Sequence, residues 1–235
     1  MSAVIRLLRR ARSESGHTLM ELVVAMALGM GVLLIAFHLL DRSLGLTREV
    51  SDRVDAVQRG RLAMDTVARQ LRSQVCLGAN AALASANGDS VTFYSNLSAT
   101  GLPEQDTFTF NEAARTLTQT RILGTGAAPP ATSFTSAPRV NTLLSNAARN
   151  GPSPALVPVF TYYGFDTSNP PKAVLQLTPM PLTQLQREHT ARIVVSFVSR
   201  PTQAKTTTKR AAVLTDEIFV RSADPNDPAP VPKCA

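Results

Sequence analysis

The sequence predicts an α+β protein in which a long N-terminal α-helix is packed on a mostly antiparallel β-sheet head. Three observations carry that expectation. Leu22 to Phe37 contains no polar side chain, Val50 to Val75 repeats its apolar residues at helical spacing, and after Gly88 the apolar pattern changes to period two. The helix is expected in two halves, the first membrane-spanning and the second amphipathic.

The chain has 235 residues, with 24 Lys plus Arg against 17 Asp plus Glu and a net charge of +7. A hydrophobic share of 44%, with 12 Gly and 16 Pro, argues against wholesale disorder. The chain owns 3 His and 2 Cys, too few for the usual structural zinc sites or a His-centred triad with alternatives. No metal or cofactor is expected. Part of the positive charge lies in Arg6, Arg9, Arg10 and Arg12, against a single Glu14, just ahead of the apolar run. That is the pattern of a membrane-targeting segment, so net charge says little about nucleic acid.

At 1.5 Å per residue, a helix from His17 to Leu40 covers about 36 Å, enough for a hydrocarbon layer of roughly 30 Å. The Arg-rich N-terminal flank, set against the mixed flank of Asp41, Arg42, Arg48 and Glu49, predicts an N-in, C-out orientation with residues 41 to 235 extracytoplasmic. A secretory cut at Ala25-Met26-Ala27 would leave a product beginning Leu28-Gly29-Met30-Gly31-Val32, still strongly apolar. The other candidate site precedes the apolar run, where Gly16 is followed by His17-Thr18-Leu19-Met20-Glu21-Leu22.

This stretch resembles the class III signal of type IV prepilins and type II secretion pseudopilins: a short basic leader, a Gly, and a Glu at the fifth position of an apolar run. Thr18, Leu19 and Glu21 match the family pattern, Met20 stands for its Ile and His17 for its Phe. The resemblance implies that a prepilin peptidase cleaves between Gly16 and His17 and N-methylates His17. It also implies that Glu21 pairs with the N-terminal amine of a neighbouring subunit during assembly. A carboxylate in an apolar segment costs about 2.5 to 3.5 kcal/mol at mid-membrane and is functional by default, although near a helix start Glu21 could also simply face the headgroups. Ala25-x-x-x-Gly29 and Ala27-x-x-x-Gly31 would let another helix approach closely.

Beyond the membrane, Val50, Val54, Val57, Arg61, Met64, Ala68, Leu71 and Val75 alternate spacings of four and three, one apolar seam on a helix. A coiled-coil partner or a helix half embedded in its own domain would account for it. Gly60 suggests a bend, and Gly78 with the Asn80 to Asn87 segment is expected to end the helix. Gln58-Arg59-Gly60-Arg61-Leu62-Ala63-Met64-Asp65 through Ala68-Arg69-Gln70-Leu71-Arg72 is similar to the second helical half of minor pilins of the W type and minor pseudopilins of the J type.

Period-two segments predict strands at Val91 to Tyr94, Thr107 to Phe110, Thr116 to Thr120, Val159 to Tyr163, Ile193 to Val198 and Glu217 to Val220. Asn111 to Arg115 reads as a hairpin turn, and Gly124 to Pro138 and Ala148 to Pro158 read as loops. The expected organisation is a cleaved leader 1–16, a transmembrane half 17–40, an amphipathic half 41–77, a β-rich head 78–223 and a Pro-rich tail 224–235.

Cys76 falls near the expected helix end and Cys234 is the second-last residue, and both are expected on the oxidising side. A disulfide between them would fasten the tail and add up to about 5 kcal/mol in loop-closure terms; two free thiols are the alternative. Lys205, Lys209 and Arg210, around Thr206 to Thr208, form either a phosphate-binding loop for DNA or a solvated hairpin loop without interleaved aromatics. Asp224 and Asp227 lie among prolines, where a disordered tail is a better reading than a calcium site. Beyond the stem His189 is the one histidine, read as a solvated loop residue, so no set of catalytic groups is evident.

The resemblance implies a non-enzymatic subunit that initiates or caps a type IV pilus or type II secretion pseudopilus. Its partners would be the prepilin peptidase, other minor and major pilins or pseudopilins, and the inner-membrane assembly platform. A DNA-uptake minor pilin and a membrane-anchored extracytoplasmic enzyme are the alternatives.

Overall fold

The computed structural model of the chain describes residues 19–77, 81–96, 101–125, 133–151, 155–165, 174–201 and 211–220. The chain divides into two compact units, 1–50 and 51–235. Helix α1, Leu19–Arg72, contributes its first part to one unit and its last part to the other.

In the first unit the described residues are all helical, and every side chain from Leu19 to Arg48 is exposed, with Gly31 the one half-buried position. Across an 18-residue window the mean hydropathy is 2.5, and none of that window is buried. Among the described residues this is the one helix long and apolar enough to cross a membrane.

The second unit is an α+β structure with two antiparallel sheets. Strands β1 (Leu83–Ala86), β2 (Ser90–Ser95), β3 (Glu104–Asn111), β4 (Thr116–Leu123) and β5 (Arg139–Ser145) form a meander in sequence order. The second sheet has the order β10-β9-β7-β8, with β7 at Phe160–Phe165, β8 at Val174–Gln176, β9 at Thr190–Ser199 and β10 at Ala212–Phe219. The two-residue β6, Ala147–Ala148, pairs with β9. A short helix α2, Gln184–Glu188, starts from Thr183, whose hydroxyl accepts from the Gln186 backbone N–H in a capping box.

Alternation places the core. In β2 and β3 the inward parity holds Val91, Phe93, Phe108 and Phe110, and the Phe93 and Phe108 rings lie 5.7 Å apart. Val67, Ala68 and Leu71 of α1 belong to the same buried cluster, as do Phe160, Tyr162, Ile193, Phe197 and Ile218 of the second sheet. The β3–β4 turn follows Asn111, whose Oδ1 accepts from the Ala114 N–H at 2.9 Å, and Arg115 closes it at φ 53°.

Several expectations need correction. The helix ends at Arg72, and Gln74 already bridges to Ser95 of β2, so residues 73–77 are not helical. The segment read as the loop that ends the helix holds β1, whose Leu-Ala-Ser-Ala run has no β-branched or aromatic residue to reveal it. The buried helix face is rotated: Ala56, Gly60, Ala63, Met64, Val67, Ala68, Gln70 and Leu71 are buried, whereas Val50 and Val54 are 62% and 48% exposed and Arg61 is exposed too. Gly60 marks a close approach rather than a bend, since a Cβ there would meet Leu214 Cδ1 and, at 2.9 Å, Ser199 Cβ. Strands β5, β6 and β8 were not expected; β5 lies at a sheet edge with Arg139 to Thr142 exposed on both faces, so its alternation is weak.

The rotated face gives a direct test. Val67→Ala should cost about 2 kcal/mol, because it deletes fully buried methyls. Val54→Ala should stay within about 0.5 kcal/mol, as expected for an exposed site. Urea unfolding of the detergent-solubilised chain, followed by tyrosine fluorescence, separates the two; equal losses would restore the seam through Val54.

Candidate functional site

Glu21 stands in the first turn of α1, on an exposed surface otherwise made of Leu19, Met20, Leu22, Val23 and Val24. A Cβ built on Gly29 or Gly31 would meet nothing within 4 Å, so both faces are open to an approaching helix. Gly16 and His17 lie outside the described residues, as do Lys205, Lys209, Arg210, Asp224, Asp227 and Cys234. Cys76 is half-buried and disulfide-bonded. It lines a cavity of about 170 Å³ together with Val75, Leu77, Asn96, Gly101 and Pro103. His189 is not in a loop but at the C-terminal cap of α2, where its N–H donates to the Leu185 carbonyl at 3.1 Å.

The sequence reading missed a buried polar cluster where the end of α1 meets the first sheet. Asp106 is fully buried and accepts three hydrogen bonds, from Ser95 Oγ at 2.7 Å, Gln119 Nε2 at 2.8 Å and Arg121 Nε at 3.1 Å. Gln119 Nε2 also donates to Gln70 Oε1 of α1 at 2.7 Å, which ties the helix to β4. Beside it Glu104 Oε2 lies 3.3 Å from Arg121 Nε, without a hydrogen bond. Burial pushes the Glu104 carboxyl above its ordinary range; Asp106 adds to the push, and Arg121 and Arg139 oppose it. The clue was in the sequence, because Glu104 and Asp106 share the parity of Phe108 and Phe110 and so must face inward.

The cluster binds parts of the protein to one another. Its one hydroxyl, Ser95 Oγ, is buried and donates to Asp106, and among the described residues no group of three or more His, Cys, Asp or Glu is placed to hold a metal ion. Apart from this cluster, the exposed apolar surface of α1 carries Glu21. No family model, curated protein or solved structure matches the chain.

Glu104 supplies a pH test. A carboxyl whose folded-state pKa is raised binds its proton more tightly in the folded chain. Its contribution to stability is therefore lost as pH rises from the ordinary value of 4.5 through the raised one. Glu104→Gln, with no proton to lose, should flatten the dependence of the urea midpoint across that window. It should also be more stable than the parent above it, and an unchanged slope would contradict the assignment.

Proposed function

We propose that the chain is a minor pilin or pseudopilin subunit that helps initiate or cap a type IV pilus or a type II secretion pseudopilus. The observation that carries this reading is one combination: the Gly16-His17-Thr18-Leu19-Met20-Glu21 leader junction runs into a helix whose large apolar side chains are all exposed from Leu19 to Leu46. Burying a Leu, Val or Met side chain is worth about 1.5 to 3 kcal/mol, so a surface with Leu28, Met30, Val32 and Leu34 each about two-thirds exposed demands a cover. A bilayer covers it before assembly and neighbouring subunit helices cover it afterwards.

On this reading residues 17–40 span the inner membrane with the N-terminus inside, the helix continues to Arg72 as an amphipathic stem, and the head works outside. Prepilin peptidase, other pilins or pseudopilins and the assembly platform are its partners. The disulfide of Cys76 is with Cys234, fastening the tail. Once Gly16 is removed, the new amine of one subunit and Glu21 of the next form a pair in apolar surroundings, where an unpaired partner is heavily penalised. That penalty selects paired subunits over isolated ones, which makes assembly directional.

Two experiments test the reading. Mass spectrometry of the membrane-extracted protein should find His17 as its first residue, with or without an added methyl; retention of Met1 to Gly16 in cells with an active peptidase would refute the assignment. Glu21→Ala should leave that cleavage intact while lowering incorporation into filaments or the initiating complex roughly tenfold or more, because a lone buried charge costs several kcal/mol. Immunoblotting of sheared or cross-linked assemblies measures it, and unchanged incorporation would return Glu21 to a headgroup-facing role.

A further inference from the structure

The chain contains two Asn-Gly steps, Asn87-Gly88 and Asn150-Gly151, and the fold treats them differently. At the first, the Asn87 carboxamide turns to Ser90 Oγ at 3.5 Å, the Asn87 N–H donates to the Ser90 carbonyl, and Tyr162 Oη donates to the Asn87 carbonyl at 3.0 Å. The Gly88 carbonyl accepts from the Phe160 N–H at 2.9 Å. That turn is pinned on both sides, and its carboxamide is engaged by Ser90.

At the second, the Gly151 N–H donates to Asn150 Oδ1 at 2.8 Å. Since a C=O bond is about 1.23 Å, the Asn150 Cγ lies no more than about 4 Å from that nitrogen, against the roughly 3–3.5 Å of a near-attack arrangement. The carboxamide is held there from its other end, because Asn150 Nδ2 donates to Ser196 Oγ at 3.1 Å, and Ser196 Oγ is itself 3.0 Å from Thr215 Oγ1. Gly151 is exposed and at φ 104°, and the Asn150 carbonyl accepts from the Val157 N–H at 2.8 Å, which holds the backbone of the step in place.

We propose that Asn150 is a site of spontaneous covalent modification in the folded protein. The Gly151 nitrogen bonds to Asn150 Cγ and gives up its proton to solvent, the Cγ–Nδ2 bond breaks, and Nδ2 leaves as ammonia after taking a proton. A solvent water then opens the resulting succinimide at either carbonyl, leaving aspartate or isoaspartate at position 150. A neutral donor to Ser196 becomes a carboxylate that can only accept.

The test is to incubate the purified full chain in warm, mildly alkaline buffer, folded in detergent and separately unfolded in urea, and to quantify aspartate and isoaspartate at both positions by peptide mass mapping. In urea the two sites should convert at similar rates. In the folded chain Asn150 should convert about fivefold faster than Asn87 or more, as pre-aligned reacting groups demand. Ser196→Ala should slow Asn150 and leave Asn87 unchanged. Folded Asn150 converting no faster than Asn87, or converting undiminished in Ser196→Ala, would overturn the proposal.

Discussion

The last turns of α1 must lie against two sheets at once, and the second unit depends on that contact. Ser199 Oγ of β9 donates to the Ala56 carbonyl at 2.7 Å, while further along the same helix Gln70 is bonded to Gln119 of β4. A helix backbone can come that near a strand only where its side chains are small. Ala56, Gly60 and Ala63 supply the near end, and the larger Met64, Val67 and Leu71 are buried further along the same face. Small residues at that end are what permit the close approach.

Polarity follows the same helix. Its end is met not by more aliphatic residues but by Ser95, Asp106, Gln119 and Arg121, every one of them hydrogen-bonded within the cluster. Satisfying a buried carboxylate with three donors limits its desolvation cost, whereas Glu104 retains a buried oxygen with only an ion-pair contact and shows the strain in its proton affinity. An interface built from such directional bonds fixes register in a way that interchangeable methyl groups do not. Arg149 plays a comparable part at the opposite turns, bridging Asp89 at 2.7 Å and Glu112 at 3.3 Å.

Much of the architecture was legible in the sequence because it rests on periodicity. The exposed apolar run, the strands rich in aromatic and β-branched residues and the Asn111 turn all carry strong local patterns. Elements stabilised by their neighbours were hidden: β1 lacks β-branched and aromatic residues, β6 is two residues long, and β8 is a short edge strand. The helix face was misread by one position because valines drew the seam through Val50 and Val54, whereas close packing selects Ala and Gly, which hydrophobic pattern matching undervalues. The residues that tie helix to sheet were overlooked for a related reason. Glu104 and Asp106 look like surface residues until their shared parity with two phenylalanines is taken into account. Glu21 stood out by contrast, since a lone charge in an apolar run needs no tertiary context to be conspicuous.

Gly60 faces side chains from two adjacent strands, Ser199 on β9 and Leu214 on β10, which pair with each other's strand along the whole hairpin. Enlarging the helix residue would be harmless only if space opened on both strands together, so no single replacement elsewhere can compensate for it. The three positions therefore form an epistatic lock. Lineages descending from this chain would cross from one combination to another only through a destabilised intermediate, and the glycine would outlast far larger changes on the exposed side of the same helix.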